Sequence, residues 1–220
     1  MEIAEIPVMP RFVVFEGADG AGTTTQLKML DAALDAMGEP HWTTSEPTGG
    51  PVGQLIRKVL GGELHVEPGT LAYLFATDRH EHLNGANGIL EHLGRGDLVI
   101  CDRYVLSSLA YQGSTCGSEL PLTLNRAFPL PELLFFFDVE PSLSLSRLAS
   151  RDKREIYENL PFLERVRQGY ADALACFAGS AMQVHTLNAA LPVHDIHQSI
   201  LLRIRTLIRQ GSDASDAHTG

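Results

Sequence analysis

The stretch Phe12–Gln26, FVVFEGADGAGTTTQ, decides how the rest of the chain is read. Phe12, Val13, Val14 and Phe15 make an unbroken apolar run, the pattern of a strand buried on both faces. Gly17 to Gly22 then give a glycine-rich turn, and Thr23-Thr24-Thr25-Gln26 opens a helix. Strand, glycine loop and helix in that order are the context that a phosphate-binding loop requires. Glycines let successive backbone N–H groups converge on an anion, and the helix adds the positive end of its dipole. Against the pattern GxxxxGK[ST], Gly17 and Gly22 fit and Thr24 offers a hydroxyl to Mg2+, but Thr23 stands at the lysine position. Asp19 lies inside the loop, where a carboxylate among phosphates is costly unless it meets a metal, an arginine or a proton. Its place is therefore beside an acceptor phosphate.

The chain has 220 residues, 44% hydrophobic and 20% charged, which suits one domain with a two-sided sheet core. A formal net charge of −10 argues against duplex nucleic acid and anionic membrane surfaces as partners. A nucleotide needs only a local cluster of cations, so it stays open. Cys101, Cys116 and Cys176 have no paired spacing, which fits a reducing, cytoplasmic compartment. The segment MEIAEIPVMP lacks signal-peptide character, and no apolar run reaches membrane-spanning length, so a soluble protein is expected.

Outward from the loop, strand and helix alternate. Pro7 and Pro10 predict an irregular lead-in over residues 1–10. Gln26–Met37 reads as a helix stopped by Gly38, His41–Ser45 as a strand, and Val52–Leu60 as a helix. Pro68–Leu93 reads as one long helix loosened near Gly85–Gly88. Asp97–Cys101, Leu133–Val139 and Met182–Leu187 read as further strands. Helices are expected at Leu106–Gln112, Leu122–Phe128, Ser142–Ser150, Phe162–Phe177 and Val193–Arg209, with a loop at Gly113–Gly117. Arg151–Glu158 is a charged connector, and the polar residues 211–220 are expected to be a disordered tail after a single domain of residues 1–210. Such alternation implies a parallel sheet wrapped by helices, with ligands at the carboxyl ends of the strands.

By that logic Asp102-Arg103-Tyr104, which follows the strand ending at Cys101, sits beside the phosphate loop. Asp102 can hold Mg2+, and Arg103 can clamp a phosphate through two parallel hydrogen bonds. A structural Asp–Arg pair at a strand end is the plainer reading of the same residues.

Taken together, FEGADGAGTTTQ, SEPTGGPVGQLIR, LFATDRHEHL, VICDRYVLSSLAYQG and RDKREIYEN resemble the thymidylate kinases, in the same order from Phe12 to about Tyr170. The resemblance implies the P-loop NTPase fold: a three-layer α/β sandwich with a five-stranded parallel sheet, helices on both faces, and a lid at about residues 147–158. It implies transfer of phosphate from ATP to dTMP with Mg2+, within a homodimer. Gly17, Ala18, Asp19, Gly20, Ala21, Gly22, Thr23, Thr24 and Thr25 would bind ATP together with Arg147, and Thr24 and Asp102 would organise the metal. Phe75 matches the family's phenylalanine that stacks on thymine, and Arg79 the arginine that hydrogen-bonds the base. Residues four apart share a helix face, so both could address one planar ligand. Ser107, Ser108, Tyr111 and Gln112 match the wall around base and sugar, with Tyr111 against the 2′ position. Gln112 carries both a donor and an acceptor, as reading a pyrimidine edge requires. Glu46, Pro47 and Arg57 match the Glu-Pro loop and the arginine that reaches the acceptor.

Asp19 and Arg103 would act in catalysis, joined by lid cations Arg151, Lys153 and Arg154. Gly20, after the loop's acid, marks members that bring a catalytic arginine from the lid. Three positions depart from the family pattern: Thr23 for the lysine, Ser45 for an arginine, and Asn188 for an aspartate near adenine. Phosphoryl transfer depends on neutralising developing charge, so Thr23 leaves two alternatives open beside the kinase. One is a nucleotide-binding homologue that catalyses weakly. The other is a kinase for a different nucleoside monophosphate.

Overall fold

The computed structural model describes residues 5–149 and 159–216, with side chains as far as residue 210. The phosphate loop leaves the carboxyl end of β1 (Val8–Gly17) and enters α1 (Thr23–Met37). There follow β2 (His41–Ser45), α2 (Pro51–Leu60), α3 (Pro68–Asn84), α4 (Ile89–Gly94) and β3 (Leu98–Asp102). Next come α5 (Val105–Tyr111), α6 (Gly113–Cys116), α7 (Glu119–Asn125), β4 (Leu130–Asp138) and α8 (Pro141–Leu148). The chain closes with α9 (Leu160–Cys176), β5 (Gln183–Asn188) and α10 (Val193–Asp216).

All five strands are parallel, in the order β2-β3-β1-β4-β5. The central strand is the one that carries the loop, and Phe12 to Phe15 have no solvent exposure at all. Helices cover both faces of the sheet; α1 packs with α10, and α5 packs with α9. From β1 the chain goes to β2 and β3 on one side and crosses to β4 and β5 on the other. That reversal opens a crevice at the strands' carboxyl ends, where ligands bind in open α/β sheets. The register fixes what meets there: Phe15 pairs with Asp102, and Ser45 also pairs with Asp102.

Most expected elements appear within two or three residues of their sequence limits, the ordinary scatter of element ends. The exceptions have physical reasons. The lead-in forms strand from Val8 onward, because Pro10 sits where the β1–β4 register shifts between Met9 and Val13 and its missing N–H costs nothing. Arg11 takes up the irregularity at φ 60°. The long helix is two helices: Gly85 and Gly88 end α3 and start α4. The loop after Gln112 holds the short helix α6. α10 runs past Arg209 to Asp216, since a nucleated helix extends at little cost per residue. No described helix is long and apolar enough to cross a membrane.

Candidate active site

The loop from Gly17 to Gly22 is held by geometry that only small residues permit. Gly20 has φ 82°, and a Cβ there would lie 2.7 Å from the Ser144 carbonyl oxygen. Gly22, at φ 97°, precedes α1 in the left-handed region without crowding, so conformation alone requires glycine there. Ser144 Oγ donates to the Asp19 carbonyl, and Arg147 donates to Gly20 O at 3.2 Å and to Ala189 O at 2.9 Å. The loop is thus stitched to α8 and to the segment after β5. Between them lies a cavity of about 240 Å3, lined by Gly20–Gly22, Thr25, Gln26, Arg147 and Ala189 with three aliphatic side chains. Thr23 is 7% exposed and lies off the wall of this cavity.

On the other side of the loop is a larger cavity of about 480 Å3. Asp19, Thr24, Asp102 and Arg103 stand at the phosphate-loop end; Glu46, Pro47, Arg57, Phe75, Tyr111 and Gln112 line the remainder, with Ser107 near Arg103. Arg103 Nη2 donates to Asp19 Oδ1 at 2.6 Å, so the loop carboxylate has the arginine partner that its position demanded. Tyr111 donates its hydroxyl to Asp19 Oδ2 at 2.8 Å and accepts from Asp19 N at 2.9 Å. Burial first, and then the Asp19 charge, push the Tyr111 phenol above its usual range, which keeps it a hydrogen-bond donor. Arg103 holds this place at φ 72°, a strained conformation for a residue with a side chain.

Thr24 Oγ1 donates to Asp102 Oδ2 at 2.7 Å, while Asp102 Oδ1 is buried with no hydrogen-bond partner among the described residues. A hydroxyl beside a carboxylate with a spare buried oxygen is a hard-oxygen donor set, which fits Mg2+. Gln112 is 2% exposed, and its Oε1 likewise has no described partner, although the residue lines the cavity. A buried amide oxygen left this way costs free energy until something donates to it.

α3 builds the far wall. Asp78 accepts from Thr48 N and Thr48 Oγ1, each at 2.7 Å, and His82 meets Glu46 Oε1 at 3.0 Å. These bonds pin the loop containing the cis Glu46–Pro47 peptide, to which Arg57 adds a bond at the Pro47 carbonyl. Arg79 does not share the ligand-facing side with Phe75. It is 1% exposed, off the cavity wall, and sandwiched near the Tyr104 and Phe128 rings. Its Nε and Nη2 donate to Glu46 Oε2 at 2.9 and 2.7 Å, and Nη2 also donates to Tyr104 O at 2.8 Å. Nη1 donates to Ser108 Oγ at 3.1 Å and to Asn125 Oδ1. Every N–H of the guanidinium is taken, as a desolvated charge requires. Ser108, 3% exposed, turns to Arg79 rather than to the cavity, because adjacent residues on a helix point about 100° apart.

Glu16, Asp78 and Tyr170 were missed by the sequence reading. Glu16 had a signal: a carboxylate ending an apolar strand run must be paired when the strand is buried. Tyr170 and Asp78 had none, since a lone tyrosine or aspartate on an amphipathic helix is common. Arg151, Lys153 and Arg154, the expected lid cations, lie outside the described residues.

The family model described as thymidylate kinase matches residues 15–200. A putative thymidylate kinase of Treponema pallidum is 42% identical over 201 residues, covering 90% of this chain and 96% of that protein. A probable thymidylate kinase of Methanococcus aeolicus is 44% identical over 168 residues, covering 76% and 80%. A thymidylate kinase of Bifidobacterium longum subsp. infantis is 36% identical over 210 residues, covering 90% and 87%. The matched residues include the phosphate loop and the lining of both cavities, and the chain belongs to the thymidylate kinase family.

Proposed function

We propose that this cleft moves the γ-phosphoryl group of ATP onto the phosphate of dTMP, giving dTDP and ADP. The observation that carries the reading is the larger cavity, whose lining includes an aromatic ring, an amide and guanidinium groups together with residues of the phosphate loop. Phe75 offers a face for a pyrimidine and Gln112 the donor and acceptor for its edge. Tyr111, tied to Asp19, closes the sugar side. Arg103 and Arg57 hold the acceptor phosphate, so that its oxygen attacks the γ-phosphorus as the bond to the ADP oxygen breaks. Arg79 and Ser108 act one layer back, by fixing Glu46 and the Glu-Pro loop. ATP takes the smaller cavity, with the loop's N–H groups on its phosphates and Arg147 beside the segment after β5. Thr24 and Asp102 would hold Mg2+, which supplies charge neutralisation for the triphosphate. Cations from Arg151, Lys153 and Arg154 stand in for the lysine that Thr23 replaces. Assembly as a homodimer and a cytoplasmic location belong to the same reading, supported by the family and by three unpaired cysteines.

The test is ADP release with a panel of nucleoside monophosphates, run beside a Thr23→Lys variant. Turnover is expected with dTMP above the others, and single substitution of Lys153 or Arg154 is expected to lower kcat. No turnover with dTMP, rescued by lysine at position 23, would instead mark a nucleotide-binding protein.

A further inference from the structure

α5 begins without a side-chain cap of its own, and its first turn lies directly after the strained Arg103. An uncapped helix start leaves N–H groups that must find an acceptor when buried. The acceptor comes from another strand. Glu16, with no solvent exposure, accepts from Tyr104 N at 2.9 Å and Ser107 N at 3.1 Å through Oε1. Its Oε2 accepts from Ser107 Oγ at 2.5 Å and from the Tyr170 hydroxyl at 3.2 Å. Those two hydroxyls are also what Arg103 Nη1 points at, at 3.2 and 3.4 Å, while Nη2 is on Asp19. The Tyr170 hydroxyl also lies 3.0 Å from the Gly17 carbonyl. One carboxylate therefore ties together the end of β1, the turn that bears Arg103, and α9.

We propose that Glu16 is a positioning residue for Arg103. Its carboxylate draws the Ser107 hydrogen onto itself, which leaves the Ser107 oxygen to face the guanidinium and the Tyr170 hydroxyl, 2.8 Å away, as an acceptor. It also pins the main chain on the far side of the Arg103 turn. Without the negative charge the Ser107 hydroxyl is free to rotate, and the guanidinium keeps Asp19 as its anchor but loses the support that fixes its plane. A bidentate grip on phosphate depends on that plane. A carboxylate in this dry position is otherwise expensive: its own pKa is raised by burial, against the opposing pull of Ser107 and Arg103. A merely structural cap would serve as well as an amide.

The inference rests on the assignment of Arg103 to the acceptor phosphate, and the experiment separates the two. Steady-state kinetics are compared for Glu16→Gln, Tyr170→Phe and Arg103→Ala. Glutamine keeps the shape and an acceptor for the two backbone N–H groups. Glu16→Gln is expected to raise KM for dTMP by about tenfold while KM for ATP stays within about twofold, with Tyr170→Phe giving a smaller shift in the same direction. If Arg103→Ala raises KM for dTMP and neither other variant does, the positioning role is overturned. If none of the three does, the assignment of Arg103 itself fails, and the role of Glu16 with it. Should Glu16→Gln not fold, Tyr170→Phe decides: an unchanged KM for dTMP overturns the proposal.

Discussion

Around the larger cavity the facing groups are side chains, and several are braced by others: Arg103 by Asp19, Tyr111 by Asp19, and Glu46 by Arg79 and His82. Around the smaller cavity the loop presents main chain, held from outside by Ser144 and Arg147. The difference separates two ways of binding phosphate. A side-chain site is specific and depends on every brace, because a buried charge that loses its partner is left desolvated. A main-chain site depends on the backbone path more than on any one side chain, and Thr23 lies off the cavity wall. The side-chain end is therefore the fragile one.

Substitutions that sharpen the contrast begin with the deepest brace. Arg79→Met strands the Glu46 carboxylate and should cost about 3–5 kcal/mol of stability, read from urea unfolding. A loss below about 1 kcal/mol would mean that the larger cavity does not lean on this pair. Arg103→Ala should cut kcat/KM for dTMP by about 10²–10³-fold, as loss of a preorganised donor to a reacting group does. An unchanged value would remove the acceptor phosphate from that end. Asp102→Asn should raise the Mg2+ concentration for half-maximal activity by about tenfold or more. An unshifted Mg2+ titration would take the metal away from the Thr24–Asp102 pair.

Glu16→Gln tests the brace through pH. Burial raises the Glu16 carboxyl above its ordinary value near 4.5, with the Ser107 hydrogen bond and Arg103 opposing. The native state thus holds the proton more tightly than the unfolded chain. The stability this gives is fully present below the ordinary value and is lost as pH rises through the raised one. The variant carries no such charge, so its urea midpoint should exceed that of the unaltered protein at neutral pH and converge with it below about pH 4. A midpoint lower at every pH would mean that the charge helps the fold rather than burdening it. At the main-chain end, Thr23→Lys should change kcat by less than about threefold, because a grip made by main-chain N–H groups does not depend on that side chain. A large gain would show that the loop's phosphate grip is incomplete without lysine.

The sequence carried the alternation of elements, the loop and the cavity-lining residues Phe75 and Gln112, because each leaves a local mark: an apolar run, glycines at fixed spacing, a helical period. It placed β2 at His41–Ser45, the limits the structure has. It misjudged Arg79, which shares a helical spacing with Phe75 but turns away from the cavity. Spacing fixes where a side chain starts; the partners within reach decide where its charge ends, and here Glu46, Ser108 and Asn125 come from three other segments. Pro10 misled in the opposite sense, since a proline excludes strand only where the lacking N–H would have been bonded.

By itself, then, the sequence determined a parallel α/β domain with a phosphate loop after its first strand and the identity of most groups lining the cleft; that this strand is the central one only the fold shows. Its signals are short-range, and so they survive without the fold. The tertiary structure decided which of those groups face the cavity and which hold the others still. Glu16 lies next to the loop in the chain, yet its partners are in the turn after β3 and in α9. Parallel strand pairing and helix packing alone bring those distant segments together, and no local pattern records it.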